Sequence, residues 1–208
     1  NRITKYQGRA GVTVAIIDSG GANISSVRHA LRRLGAEAVF TADAETIRAA
    51  ERVILPGVGA AGAAMSRLRE LGLTEVIRTL QQPVLGICLG MQLLFDGSDE
   101  DDTQCLGIIP GTLKKLTHSQ GVRVPHMGWN TTTVVRQDPL LNGLVEEPWF
   151  YFVHSYCAPV SDDTLATCTH GETFAAIVAR DNFYGAQFHP ERSARHGARL
   201  LANFLEIS

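Results

Sequence analysis

No apolar run in the 208-residue chain approaches the ~18 residues that span a bilayer, and no signal peptide is visible at its start. An excess of one charge is also missing. The 19 Lys and Arg against 21 Asp and Glu leave a net −2, which provides no basic footprint for nucleic acid. Cysteine is sparse: Cys88, Cys105, Cys157 and Cys168 form no C-x-x-C pair and no disulfide-like framework, so a reducing, cytoplasmic setting is expected. His29, His118, His126, His154, His170 and His196 lack the spacing of a zinc site, and neither a metal nor an organic cofactor is expected. No repeat, low-complexity stretch or linker interrupts the chain. Residues 1–11 are polar, basic and without a clear period; a leader of no assigned role is expected there, ahead of one domain over residues 12–208.

What is present is an alternation of short apolar runs with helical patterns. Residues 12–18 are almost wholly apolar, as in a central parallel strand covered on both faces. An amphipathic helix is expected from Asn23 to Leu34, ended by Gly35, then a strand over 38–40. Asp43 is placed to cap a helix running through Ala50. A third strand over 52–55, helices over 60–69 and 74–80, and a fourth strand before Cys88 follow. This spacing indicates an α/β fold with a parallel core sheet. A helix from Leu89 to Phe95 comes next. After Ser98 the pattern changes to strands over 112–116, 131–135, 149–153, 165–169, 174–180 and 184–188, an antiparallel extension in the C-terminal half. Asp181-Asn182 marks a hairpin between the last two. Ser193 is placed to cap a final helix with Ala198, Leu201, Ala202 and Leu205 on its apolar face.

Chemistry concentrates at Gly86-Ile87-Cys88-Leu89-Gly90, which has the G-x-S-x-G spacing of a nucleophile elbow with sulfur in place of oxygen. A side chain lifted on a sharp strand-to-helix turn needs neighbours without Cβ atoms, because the backbone crowds them. An ordinary thiol titrates near ~8.5. Bringing it down by about two units takes ~2.7 kcal/mol. A helix terminus typically contributes ~0.3–1 kcal/mol, so an imidazolium partner is expected as well. Taken alone, the motif is equally compatible with a buried structural cysteine on a βα turn.

Phe188-His189-Pro190-Glu191 lies at the end of an expected strand. Side chains two apart on an extended segment share a face, and Pro190 biases His189 toward that geometry. His189 then acts as general base and acid, with Glu191 fixing its tautomer. By itself the stretch is also compatible with a solvated strand end. With the elbow it makes a Cys88–His189–Glu191 triad candidate. An acyl-transfer site also needs oxyanion donors. The N–H of Leu89 is one, and the N–H of Val58, in the turn Pro56-Gly57-Val58-Gly59, is a second. The two glycines let that peptide take more than one orientation.

With those residues in place the chain resembles the class I (triad) glutamine amidotransferases: residues 86–92 and 188–191 are similar to that family's two signatures. The resemblance implies a doubly wound, mostly parallel sheet with helices on both faces. It implies that the cysteine attacks the side-chain amide of glutamine, releases ammonia and leaves a thioester for water to hydrolyse. Pro56-Gly57-Val58-Gly59, residues 125–130, residues 151–156 and the opening Asp18-Ser19-Gly20 with Asn23 resemble one branch of the family. In that branch the ammonia passes to a separate (β/α)8-barrel cyclase subunit in histidine biosynthesis.

On this resemblance Gln92 hydrogen-bonds the bound glutamine, Glu100 pairs with its α-ammonium, and backbone groups near Ser155 and Tyr156 take its carboxylate beside Gly57 and Gly59. Glu100 is also readable as part of a solvated acidic loop with Asp99, Asp101 and Asp102. Trp129, Tyr151 and Arg192 are candidate contacts with the barrel in a heterodimer; core packing is the other reading of the two aromatics. Glutaminases serving synthases of anthranilate, GMP or pyridoxal phosphate, and a non-catalytic interaction subunit of the same fold, remain as alternatives.

Overall fold

The computed structural model describes residues 11–21 and 24–208; residues 1–10 of the expected leader, Ala22 and Asn23 lie outside the described residues. The first half runs β1 (Thr13–Ile17), α1 (Ile24–Arg33), β2 (Glu37–Thr41), α2 (Ala44–Ala49), β3 (Arg52–Leu55), α3 (Ala61–Glu70), α4 (Leu73–Arg78), β4 (Val84–Ile87) and α5 (Leu89–Leu93). Asp43 caps α2, its carboxylate accepting from the Thr46 N–H at 2.8 Å. Three short strands follow: β5 (Phe95–Ser98), β6 (Thr103–Gln104) and β7 (Ile109–Lys115). Then come β8 (His126–Val134), β9 (Trp149–His154), β10 (Tyr156–Cys157), β11 (Thr164–His170), β12 (Glu172–Arg180), β13 (Phe183–Ala186) and α6 (Ala194–Glu206).

A nine-stranded sheet has the order β2-β1-β3-β4-β13-β12-β11-β8-β9. Its first five strands pair in parallel, and from β12 onward the pairing is antiparallel. Helices cover both faces. Val14, Ile16, Ile54 and Leu85 pack with α1 and α6, whereas Ala15, Ile17, Val53 and Leu55 pack with α2, α3 and α4. Successive strand residues therefore feed two separate apolar layers, which is why β1 reads as an unbroken apolar run. The decisive adjacency is β4 beside β13. Ile87 pairs with Ala186, and the Cys88 N–H donates to the Ala186 carbonyl at 2.8 Å.

Three expectations need correction. The helix after Cys88 stops at Leu93, because Phe95 enters a second, four-stranded sheet of order β10-β7-β5-β6. The strand expected at 131–135 starts at His126, since Met127, Gly128, Trp129 and Asn130 all pair with β9. Ser193 makes no side-chain cap; its hydroxyl donates to the His189 carbonyl at 2.6 Å and accepts from the Tyr151 N–H at 2.9 Å. The face that α6 buries also carries Leu200 and Phe204, both fully buried, whereas Ala198 is half-buried.

Candidate active site

Cys88 sits between β4 and α5 at φ 55° and ψ −113°, a conformation that a side chain adopts only when its surroundings enforce it. The enforcement comes from close packing at the two flanking glycines. A Cβ on Gly86 would lie 2.6 Å from the Gly90 carbonyl oxygen, and one on Gly90 would lie 1.7 Å from that of Leu55. The Cys88 thiol donates to the Val153 carbonyl at 3.5 Å. Burial pushes the Cys105 thiol up to about 11 and those of Cys157 and Cys168 up to about 12, so these three are inert at neutral pH.

His189 is anchored through its backbone. Its N–H donates to the Tyr151 carbonyl at 2.9 Å, and its carbonyl accepts the Ser193 hydroxyl. Its Nδ1 meets Glu191 Oε1 at 2.9 Å. That contact arises differently from the expectation. β13 ends at Ala186, and residues 190–192 form a 3₁₀ turn that folds the Glu191 carboxylate back onto the ring. The second carboxylate oxygen, Oε2, is buried with no hydrogen-bond partner among the described residues, which leaves the carboxylate's charge directed at His189. Burial opposes the imidazolium, but the hydrogen bonds to Cys88 and Glu191 and their charges outweigh it, raising His189 to about 10.

These groups open onto a cleft of about 690 Å³. Cys88, His189, Glu191, Leu89, Gln92, Glu100, Ser155, Tyr156, Arg192 and all of Pro56-Gly57-Val58-Gly59 line it. Gly59 has φ +91°, a value open to glycine. Glu100 lines the cleft and its Oε2 accepts from the Ala61 N–H at the start of α3 at 2.8 Å. The Ser155 carbonyl accepts from the Leu116 N–H, and the Tyr156 carbonyl from Gln92 and His154. Gln92 therefore spends its Nε2 internally, on Tyr156 at 2.9 Å and on Gln187 Oε1 at 3.0 Å.

Trp129 and Tyr151 lie outside the cleft. They pair across β8 and β9 with ring centroids 6.1 Å apart, and the Arg192 guanidinium sits 4.6 Å over the Tyr151 ring. Trp129 is 50% exposed and neighbouring Met127 63%, which removes the core-packing reading for the tryptophan.

Two contacts escaped the sequence reading. Ser19 is buried, and its hydroxyl donates to the Pro56 carbonyl at 2.6 Å, pinning one end of the Pro56–Gly59 turn. Gln187 is fully buried with its amide nitrogen 4.0 Å from Cys88 Sγ. The two-residue period that linked His189 to Glu191 points backward to Gln187 just as well.

A nucleophile elbow facing a histidine and a carboxylate on a mixed α/β sheet defines a hydrolytic acyl-transfer class, and the sequence model of class I glutamine amidotransferases matches residues 15–207. The chain belongs to that family. It is 58% identical over 195 residues to the imidazole glycerol phosphate synthase subunit HisH of Xanthomonas euvesicatoria pv. vesicatoria, covering 94% of this chain and 98% of that one. It is 54% identical to the HisH subunit of Xylella fastidiosa (strain Temecula1), covering 93% and 97%. Among solved structures it shares the fold of a putative GMP synthase subunit from Thermoplasma acidophilum, with TM-score 0.72, 21% identity, and coverage of 95% and 94%. PurLQS from Thermotoga maritima gives TM-score 0.71 at 20% identity, with coverage of 94% and 98%.

Proposed function

We infer that this chain is the glutaminase subunit of an imidazole glycerol phosphate synthase, hydrolysing glutamine and passing the ammonia to a (β/α)8-barrel cyclase subunit in histidine biosynthesis. The observation that carries the hydrolytic part is His189 held between the Cys88 sulfur and the buried Glu191 carboxylate at the floor of the cleft. The identity to HisH subunits over nearly the whole of both chains supports the synthase.

In this reading the Cys88 thiolate attacks the side-chain amide carbon of glutamine. The N–H groups of Leu89 and Val58 take the charge on the carbonyl oxygen. His189, protonated at Nε2, gives its proton to the departing nitrogen, and ammonia leaves. A water molecule then attacks the thioester, surrendering a proton to His189, and glutamate is released with the thiolate restored. Glu191 holds the ring through Nδ1 in both steps. Glu100 Oε1 faces the α-ammonium while Oε2 stays on α3, and the α-carboxylate is met by N–H groups near Ser155 and Tyr156, whose carbonyls are engaged elsewhere. Gly57 and Gly59 leave the Val58 peptide room to turn.

The exposed Trp129, with Tyr151 and Arg192 beside it, forms the edge of the barrel-docking surface. Among the described residues no helix is long and apolar enough to cross a membrane, and a cytoplasmic location fits the biosynthetic role. Residues 12–208 act as a single amidotransferase domain.

The test is a glutaminase assay of the chain alone and with a barrel cyclase and its nucleotide ligand. Strong stimulation by the liganded partner supports the reading. Equal rates with and without it, or co-purification with a different synthase, overturn the assignment.

A further inference from the structure

A run of hydrogen bonds reaches from the sulfur of Cys88 to the strand that carries Trp129, and each bond in it has one allowed direction. The Tyr156 carbonyl can only accept, and it faces Gln92 Nε2 at 2.9 Å and His154 Nδ1 at 2.8 Å. Both therefore present N–H to it. The second hydrogen of Gln92 Nε2 goes to Gln187 at 3.0 Å, so Gln187 must turn its oxygen that way. Its amide nitrogen is then left facing Cys88 Sγ at 4.0 Å.

The far end agrees. Asn130 accepts the Thr131 N–H at its Oδ1 (2.8 Å) and donates from Nδ2 to the Thr169 carbonyl (3.1 Å) and to His126 Nε2 (3.2 Å). His126 then carries its proton on Nδ1 and gives it to His154 Nε2 at 2.9 Å. His126 is stacked between Phe152 at 4.8 Å and His170 at 4.1 Å. Burial chiefly holds His126 at about 3 and His154 at about 4, so both are neutral at working pH and keep these tautomers.

We propose that Gln187 is a catalytic residue: its amide N–H, aimed by the Asn130–His126–His154–Tyr156–Gln92 chain, stabilises the negative charge on the Cys88 sulfur. The assignment rests on Cys88 being the nucleophile, as in the function proposed above. A donor held behind the sulfur favours the thiolate before attack and again when the thioester breaks, and it loses that partner charge while the sulfur is acylated. A fully buried glutamine with no other orientation available is preorganised for this and needs no rearrangement during turnover.

The experiment reads Cys88 directly. The rate of Cys88 alkylation by iodoacetamide is followed against pH in the full chain, with the site identified by mass spectrometry. Cys88 opens onto the cleft, whereas Cys105, Cys157 and Cys168 do not line it and are held as thiols by burial, so these three stay unmodified. The titratable and charged groups around the sulfur are His189 with Glu191 behind it, and His154, Tyr156, Glu100 and Arg192 along the cleft; none is altered. Gln187→Met keeps the length and removes the donor. We expect its alkylation rate to fall roughly 3- to 10-fold below the midpoint and to recover at high pH, as the loss of one charge-assisted hydrogen bond requires. A profile superimposable on that of the unaltered chain overturns the assignment, even if Gln187→Met melts at a lower temperature.

Should Gln187→Met fail to fold, side-chain amide NMR of the glutamine-labelled chain decides. A Gln187 NH₂ signal that moves as Cys88 titrates, and no longer moves in Cys88→Ala, supports the role; a signal insensitive to both overturns it. Neither measurement uses glutamine. A chain that passes both and hydrolyses no glutamine retains the Gln187 contact and loses the proposed function.

Discussion

Gly90 and the Leu55 carbonyl oxygen approach so closely that an added Cβ would lie 1.7 Å from that oxygen. α5 therefore packs its backbone directly on the end of β3, and this contact sets the height at which Cys88 stands above the sheet. The obstacle is backbone, which a rotamer change cannot relieve. Gly90→Ala is expected to cost more than the ~1–3 kcal/mol of ordinary overpacking. Thermal melts should show either a large loss or no folded protein; a melt unchanged within a degree refutes the packing argument.

Cys88→Ala should abolish glutamine-dependent turnover by the synthase while leaving its use of supplied ammonia intact. It should also lower the titration of His189, seen by NMR of the ring, from about 10 toward the ordinary 6.5, because a hydrogen bond and a charge that raise it are gone. The folded value lies above the ordinary one. The stability drawn from this ring is thus complete below about pH 6.5 and is lost as pH climbs through about 10. An unmoved His189 in the variant breaks the link between the two side chains.

His126 and His154 work in the opposite direction. Burial first, then neighbouring histidines, depress both, to about 3 and about 4, although the Tyr156 carbonyl partly opposes this for His154. As pH drops below 6.5 the unfolded chain takes up these protons before the folded one. Stability should decline from there down to about pH 4, at about 1.4 kcal/mol per pH unit per histidine. His126→Phe keeps a ring against Phe152 and His170 and removes one titrating group. Urea midpoints measured from pH 7 to pH 4 should fall less steeply in that variant; equal slopes contradict the assignment.

If the proposed docking surface includes Trp129, Trp129→Ala should weaken binding to a barrel cyclase by roughly 30-fold, about 2 kcal/mol, as loss of an exposed aromatic anchor does. Alkylation of Cys88 in the lone chain should be unaffected, since the indole lies outside the cleft. Titration calorimetry gives the first quantity and mass spectrometry the second. Unaltered affinity places the docking surface elsewhere.

Most of the parallel half of the sheet was readable in the sequence because β1, β3 and β4 are apolar on both faces and α2 announces itself by its Asp43 cap. β1, β3 and β4 and the Asp43 cap came through with boundaries off by at most a residue. The sharp turn at Cys88 was legible from its glycines, but reading it as a nucleophile elbow also needed the His189-Pro190-Glu191 stretch. The strands around β5, β6 and β7 were harder, since they alternate weakly and are only four, two and seven residues long. Ser193 looked like a cap by position, yet its hydroxyl serves His189 and Tyr151, contacts set by a distant strand. The contacts of Gln187 and Ser19 were invisible for the same reason: their partners lie 99 and 37 residues away. His126 and His154 carried no metal spacing and became meaningful only when pairing of β8 with β9 set them opposite each other.

Because β13 slots beside β4, sulfur and imidazole are separated by nearly half the polypeptide and meet only after the last strand has docked. A ribosome that has finished the elbow has made a thiol with no base beside it. Reactivity toward amides, and toward oxidants that prey on thiolates, is withheld from the nascent chain until translation has passed residue 191.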